Sequence, residues 1–406
     1  MPLLTNIAAL AACREGGGQG EIHLIEDAAL AWEGKDITWV GPRSERPACL
    51  SDEPTQDARG ALVVPGLVDC HTHLAFGGWR ADEFAQRIGG RSYLDIARAG
   101  GGIARTVRQT RQTSFDDLLA RSRGFLDQMA RLGVTTVECK SGYGLDLANE
   151  LKLLKVYRRL SQSHPLRIVP TFLGAHVVPP EMRDDRQGYI RLLIEEMIPG
   201  VAEEGLAGFC DVFVEDTAFS LEEARSIFQA GLGQGLRPKL HADQLSDSGG
   251  ATLAAQVGAA SADHLECISN QGIQDMAKAG VVAVSLPLAS LYLNQPVMPA
   301  RKLIEAGAAV AVATDFNPGS APSFHLPLAM MLACTQQRMT PAQVLKGATL
   351  YAARALCLED RIGSLEPGKS ADFALIEAPS VDHWLYHFRP NACLATYRAG
   401  QKIAAG

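Results

Sequence analysis

Between about residue 62 and residue 355, short apolar, β-branched runs alternate with longer amphipathic stretches. The short runs read as buried strands, and apolar residues recurring every third or fourth position read as helices covering them. The strand candidates are Leu62–Val68, Val134–Val137, Arg167–Phe172, Phe209–Val214, Pro238–Leu240, Ala262–His264, Val281–Ser285 and Ala309–Ala313. Helical segments such as Phe115–Leu132, Ala148–Ser161 and Leu221–Gly231 fall between them. Eight such alternations predict an α/β fold, a (β/α)8 TIM-type barrel, with a doubly wound open sheet as second choice.

The ends read differently. Leu30–Trp32 and Ile37–Val40 flank a turn-like Glu33-Gly34-Lys35-Asp36. Near the other end, Gly363–Leu365, Glu366-Pro367-Gly368-Lys369 and Phe373–Ile376 read as strand, turn and strand. Neither flank alone supplies a stable sheet. The expectation is a small β-sandwich domain built jointly from residues 1–60 and 356–406, beside a barrel of residues 61–355.

Composition narrows the class. Of 406 residues, 47 % are hydrophobic and 20 % charged, enough for a large core. The formal charge is −7, without the basic stripe of a nucleic-acid binder. The longest uncharged stretch, Gly280–Ala300, is broken by Pro287, Pro296 and Pro299, so no membrane span is expected. Residues 1–10 lack a basic n-region and cleavage site, and the nine cysteines include no Cys-x-x-Cys pair. A cytoplasmic chain with reduced thiols is therefore expected.

The sharpest chemistry sits in Asp69-Cys70-His71-Thr72-His73, at the end of the first barrel strand. Residues two apart in an extended chain face the same side, so His71 and His73 can address one point. Imidazole is a ligand for zinc or iron, and barrel active sites gather at the carboxyl ends of the strands. His241 follows the fifth strand and Asp315 the eighth. Three histidines and one aspartate, with water, make a catalytic metal site with an open position.

That arrangement, with the C-terminal run Glu366-Pro367-Gly368-Lys369-Ser370-Ala371-Asp372, resembles the amidohydrolase superfamily. Within it the chain closely resembles the imidazolonepropionase family. The segments that carry the resemblance are HTHLAFGGWR (71–80), GGGI (100–103), ECKSGYGL (138–145), LGAH (173–176), HADQLSDSGG (241–250) and TDFNPGS (314–320). The resemblance implies hydrolysis of the cyclic amide C–N bond of 4-imidazolone-5-propanoate to N-formimidoyl-L-glutamate in histidine degradation. It assigns metal binding to His71, His73, His241 and Asp315, the metal being zinc or iron, and it implies a homodimer. Two-metal relatives use a carboxylated lysine after strand four; here Glu215-Asp216 stand there and Lys140 follows strand two, which favours one metal.

For substrate contacts the resemblance picks out Arg80, Tyr143, His176, Gln244, Asn317, Gly319 and Ser320. Arginine suits the substrate's propionate through a bidentate fork, and the glycines around Tyr143 allow close backbone approach. Asn317 and Ser320, around Pro318-Gly319, equally suit a capped turn. Some relatives carry a glutamate as proton shuttle where this chain has Gln244, which cannot titrate. Proton transfer is then left to Asp315 or to His264, which also suits a developing oxyanion. His23, His164, His325, His383 and His387 are assigned no role, and Cys70 and Cys139 are read as packing residues. Two rival readings remain: a deaminase of an aminated heterocycle on the same scaffold, and a non-enzymatic barrel that binds a metal or small molecule.

Overall fold

The computed structural model describes residues 1–50, 53–91, 95–96 and 99–405. Its strands begin with β1 (Leu3–Ala11), β2 (Leu24–Glu33), β3 (Asp36–Pro42), β4 (Thr55–Asp57) and β5 (Leu62–Pro65). Next come β6 (Leu67–Asp69), β7 (Val134–Lys140), β8 (Arg167–Ala175), β9 (Phe209–Val214), β10 (Arg237–Ala242), β11 (Ser261–His264), β12 (Val282–Ser285) and β13 (Val310–Val312). The last are β14 (Phe373–Ile376), β15 (Cys393–Arg398) and β16 (Gln401–Ala405).

Strands β6 to β13 form one parallel sheet in sequence order, each buried along its length except in the first half of β8 and at the first residue of β10. Burial on both faces explains why they read as apolar runs rather than as alternating patterns. The intervening helices start where short polar side chains cap them. Ser114 accepts from the N–H of Asp117, Asp146 from that of Asn149, and Ser220 forms a reciprocal capping box with Glu223.

The barrel closes through its strand ends. The carboxylate of Asp69 accepts from the N–H (3.0 Å) and hydroxyl (2.7 Å) of Thr314. The N–H of Asp315 donates to the carbonyl of His71 (3.0 Å), and the N–H of His73 donates to that of Phe316 (2.8 Å). Thr72 and Phe316 form the parallel bridge between them.

The expected strand Leu62–Val68 is in fact two. Pro65 ends β5 and, after Gly66 alone, the chain continues as β6 in the other sheet. A side chain at residue 66 would stand 2.4 Å from the Thr135 side chain, so the crossing needs glycine. The second sheet, in order β16-β15-β14-β5-β1-β2-β3 with β4 beside β1, joins both chain ends. It curls over its own core: Trp32 of β2 meets Phe373 of β14 (5.4 Å between centroids), which stacks on Tyr397 of β15 (4.4 Å). The sandwich is thus one sheet folded on itself. Residues 363–365, expected as a strand, are not one; the N–H of Leu365 instead donates to the carbonyl of Ala12 just past β1. Among the described residues no helix is long and apolar enough to cross a membrane.

Candidate active site

At the carboxyl ends of the barrel strands, His71, His73, His241, His264 and Asp315 converge, all nearly solvent-free. His71 and His73 lie just past β6, His241 within β10, His264 ends β11, and Asp315 follows β13. His264 (φ 80°) and Asp315 (φ 56°) take left-handed backbone conformations that side chains with a Cβ seldom adopt. Such strain persists only where surroundings over-determine it; for Asp315 the strand-end hydrogen bonds do so.

Among the described residues the donor atoms form two triads that share His71, namely His71, His73 and Asp315, and His71, His241 and His264, each with its ligand atoms within 4.8 Å of one another. Asp315 Oδ1 lies 3.4 Å from His71 Nε2 and 3.5 Å from His73 Nε2, and His73 Nε2 lies 3.4 Å from His241 Nε2. Ligand atoms about 2.1 Å from one ion at tetrahedral angles stand ~3.4 Å apart, so this spacing fits a metal. His71 Nε2 is buried without a hydrogen-bond partner, as a lone pair reserved for an ion would be. Burial, reinforced by neighbouring imidazoles and Lys140, pushes His71, His73 and His241 well below the ordinary histidine pKa, so all three are neutral donors. Burial pushes Asp315 up to about 7, against the opposing pull of His264. For His264 burial disfavours the charge, but the carboxylate of Glu266, with Nδ1–Oε1 of 3.7 Å, and that of Asp315 raise its pKa.

A cavity of about 950 Å3 opens over this cluster, lined by His73, Arg80, Tyr143, His176, Gln244, His264, Asp315, Asn317 and Ser320. Gly319 lies against Arg80, where a Cβ would stand 1.2 Å from the guanidinium. The ring of His176 stacks on that of His73 (5.2 Å), its Nδ1 lies 3.0 Å from the carbonyl of Gly142, and burial lowers its pKa to about 4. Asn317 spends its side chain locally: Oδ1 accepts from the N–H groups of Gly319 and Ser320, and Nδ2 donates to the carbonyl of Asp315. It is a turn-former first.

Sequence reasoning missed the supports of these residues. Glu150 accepts from the N–H groups of Gly142, Gly144 and Leu145, fixing the segment that carries Tyr143. Glu83 accepts from the N–H of Gly102 and lies 3.6 Å from both Arg80 and Arg105. Asp211 faces His241 Nδ1 at 3.0 Å and Asp263 faces His71 Nδ1 at 2.6 Å. Acidic residues inside otherwise apolar strands were the available signal for Asp211 and Asp263.

An amidohydrolase family model matches residues 62–402. The imidazolonepropionase of Geobacillus sp. (strain WCH70) is 47% identical over 387 residues, 94% of this chain and 91% of that protein. That of Treponema denticola is 47% identical over 349 residues, 86% of this chain and 84% of the relative. That of Parabacteroides distasonis is 43% identical over 406 residues and 98% of each chain. Among solved structures, 5-methylcytosine deaminase from Klebsiella pneumoniae with 5-fluorocytosine superposes with a TM-score of 0.75 at 17% identity, covering 100% of this chain and 97% of that one. A mutant atrazine chlorohydrolase from Arthrobacter aurescens TC1, complexed with zinc and atraton, gives 0.74 at 17% identity, covering 100% and 95%. At such identity these two likenesses speak for the fold alone.

Proposed function

The chain belongs to the amidohydrolase family, on its imidazolonepropionase branch, and from that premise we propose how its residues carry out the reaction. It is a hydrolase of a cyclic-amide carbon–nitrogen bond in histidine degradation, converting 4-imidazolone-5-propanoate to N-formimidoyl-L-glutamate. His71, His73, His241 and Asp315 hold one zinc or iron ion. When bound there, the ion supplies Lewis-acid activation of water and of the ring carbonyl. The convergence of three neutral imidazoles and one buried carboxylate at ion-sized spacing carries this reading.

Arg80 pairs with the propionate at the cavity wall, while Tyr143 and His176 hold the ring. Asp315 orients the attacking water and takes its proton. His264 donates a hydrogen bond to the carbonyl oxygen as charge builds on it. Water oxygen bonds to the carbonyl carbon, the carbon–nitrogen bond breaks, and the proton passes from Asp315 to the leaving nitrogen. Gln244, half-buried at the cavity wall, hydrogen-bonds without titrating.

The test is turnover by metal-loaded protein of the substrate generated in place from urocanate, followed by loss of its ultraviolet absorbance. Chelator-sensitive loss yielding formimidoylglutamate is expected. No acceleration with metal verified in the sample would overturn the substrate assignment, and release of ammonia from an aminated heterocycle would favour a deaminase.

A further inference from the structure

Outside the cavity lining, a cluster of charged side chains is sealed among the strands: Glu138 and Lys140 of β7, Asp211 of β9, Lys239 of β10 and Asp263 of β11, each fully buried. Lys140 Nζ lies 2.7 Å from Asp211 Oδ2, 3.0 Å from Glu138 Oε1 and 3.3 Å from Asp263 Oδ2. The ammonium donates hydrogen bonds to Glu138 and Asp211 and forms an ion pair with Asp263, so one cation faces three carboxylates. Two of those carboxylates face outward to the proposed metal ligands. Asp211 Oδ1 stands 3.0 Å from His241 Nδ1 and accepts from that residue's N–H at 3.2 Å. Asp263 Oδ2 stands 2.6 Å from His71 Nδ1, and its Oδ1 accepts from the hydroxyl of Ser261 at 2.6 Å.

We propose that Lys140 is a positioning residue for metal binding, one ammonium that clamps the two carboxylates which each fix a ligand imidazole. This rests on the ligand set given above. A carboxylate opposite Nδ1 holds the proton there and turns the Nε2 lone pair to the centre. Without the clamp, besides the imidazole contact, Asp211 keeps only the bond from the His241 N–H and Asp263 only that from the Ser261 hydroxyl, and each imidazole is held less firmly in tautomer and orientation. Lys239 adds positive charge near both carboxylates but makes no direct contact with them: it lies 3.3 Å from Glu138 Oε2 and donates to the carbonyl of Ala355. His73 gives the internal contrast, because its Nδ1 is buried with no partner. The clamp therefore acts on two of the three histidines and ties them together.

The experiment is zinc affinity of the full-length metal-free protein, read by competition with a chromophoric chelator. Wild type is compared with Asp211→Asn, Asp263→Asn, their double variant and Lys140→Met. Each single asparagine variant is expected to weaken zinc binding about 10–100-fold, and Lys140→Met at least as much as either. The double variant should lose clearly less than the product of the two single losses, because both act through one ammonium. Single variants within twofold of wild type, or losses that multiply in full, would overturn the clamp. If Lys140→Met does not fold, the three asparagine variants, which keep side-chain shape, decide alone. His71→Ala and His241→Ala serve as references: zinc binding indifferent to them would instead refute the ligand set.

Discussion

Replacing Gly319 by alanine isolates the role of Arg80. The backbone of Gly319 does not have a positive φ, so alanine meets no conformational penalty. Its methyl, however, would stand 1.2 Å from Arg80 Nη2, 2.2 Å from Cζ and 2.8 Å from Nε. Ordinary contact is about 3.5 Å, so the guanidinium must withdraw by roughly 2 Å. The end of a flexible side chain can do so at little cost to the fold, but it then misses the substrate carboxylate proposed as its partner. A hydrogen bond to a charged group is worth about 1.5–3 kcal/mol, which corresponds to a rise in KM of about 10–150-fold. Because this contact serves substrate and transition state alike, kcat should stay within a few-fold. Steady-state kinetics by the absorbance assay, with a melting curve for each variant, measures both. Gly124→Ala, inside helix Phe115–Arg131 where a Cβ meets nothing within 4 Å, is the control. It should leave KM alone and stabilise by up to ~1 kcal/mol. A Gly319→Ala enzyme with KM within twofold of wild type would refute the placement of Arg80 on the substrate.

Three further outcomes are expected. His71→Ala should purify with little metal and lose turnover by at least about 100-fold, as measured by metal analysis beside the kinetic assay. Apparent zinc affinity of the metal-free protein should rise about tenfold per pH unit up to about 7 and level off above, because the proton held by Asp315 to about 7 must leave for metal to bind. The three neutral histidines, whose pKa values are lowered, add no further slope there, so a slope of two or more in chelator competition would contradict the assignment. Glu150→Gln should lower the melting temperature, losing about 1–3 kcal/mol through the N–H groups of Gly142, Gly144 and Leu145, and raise KM through Tyr143 while metal content stays unchanged.

The eight barrel strands were legible because burial on both faces leaves a plain apolar run that turn residues punctuate. His71 and His73 were legible because two-residue periodicity is a local property. Strand ends were less so: β7 runs on through Glu138-Cys139-Lys140, since pairing with β8 prolongs it past the point where its own sequence turns polar, and β8 runs on through Leu173-Gly174 to Ala175. The split at Gly66 depends on Thr135, a residue of another strand, and no local pattern reveals that close approach. Glu83 and Glu150 were hidden for the same reason, and Asp211 and Asp263 showed only as acidic residues in apolar strands, without their partners. Each matters through a partner distant in sequence, whereas in its own segment it looks like a polar interruption. Asn317 shows the opposite case, where the local turn reading was sound and describes its hydrogen bonds fully.

The seam between β6 and β13 carries a consequence in time. Asp69 and Thr314, which meet across it, are 245 positions apart, and His71, His73 and Asp315 flank the same join. A growing polypeptide exposes its first two imidazoles early and must then be extended through almost the entire barrel before their carboxylate partner leaves the ribosome. Any product released prematurely, even one missing only the last strand of the ring, lacks Asp315, the fourth ligand proposed above. On that ligand set, chains terminated just before the last strand keep the histidine triad but not the carboxylate, and should bind metal more weakly than finished ones.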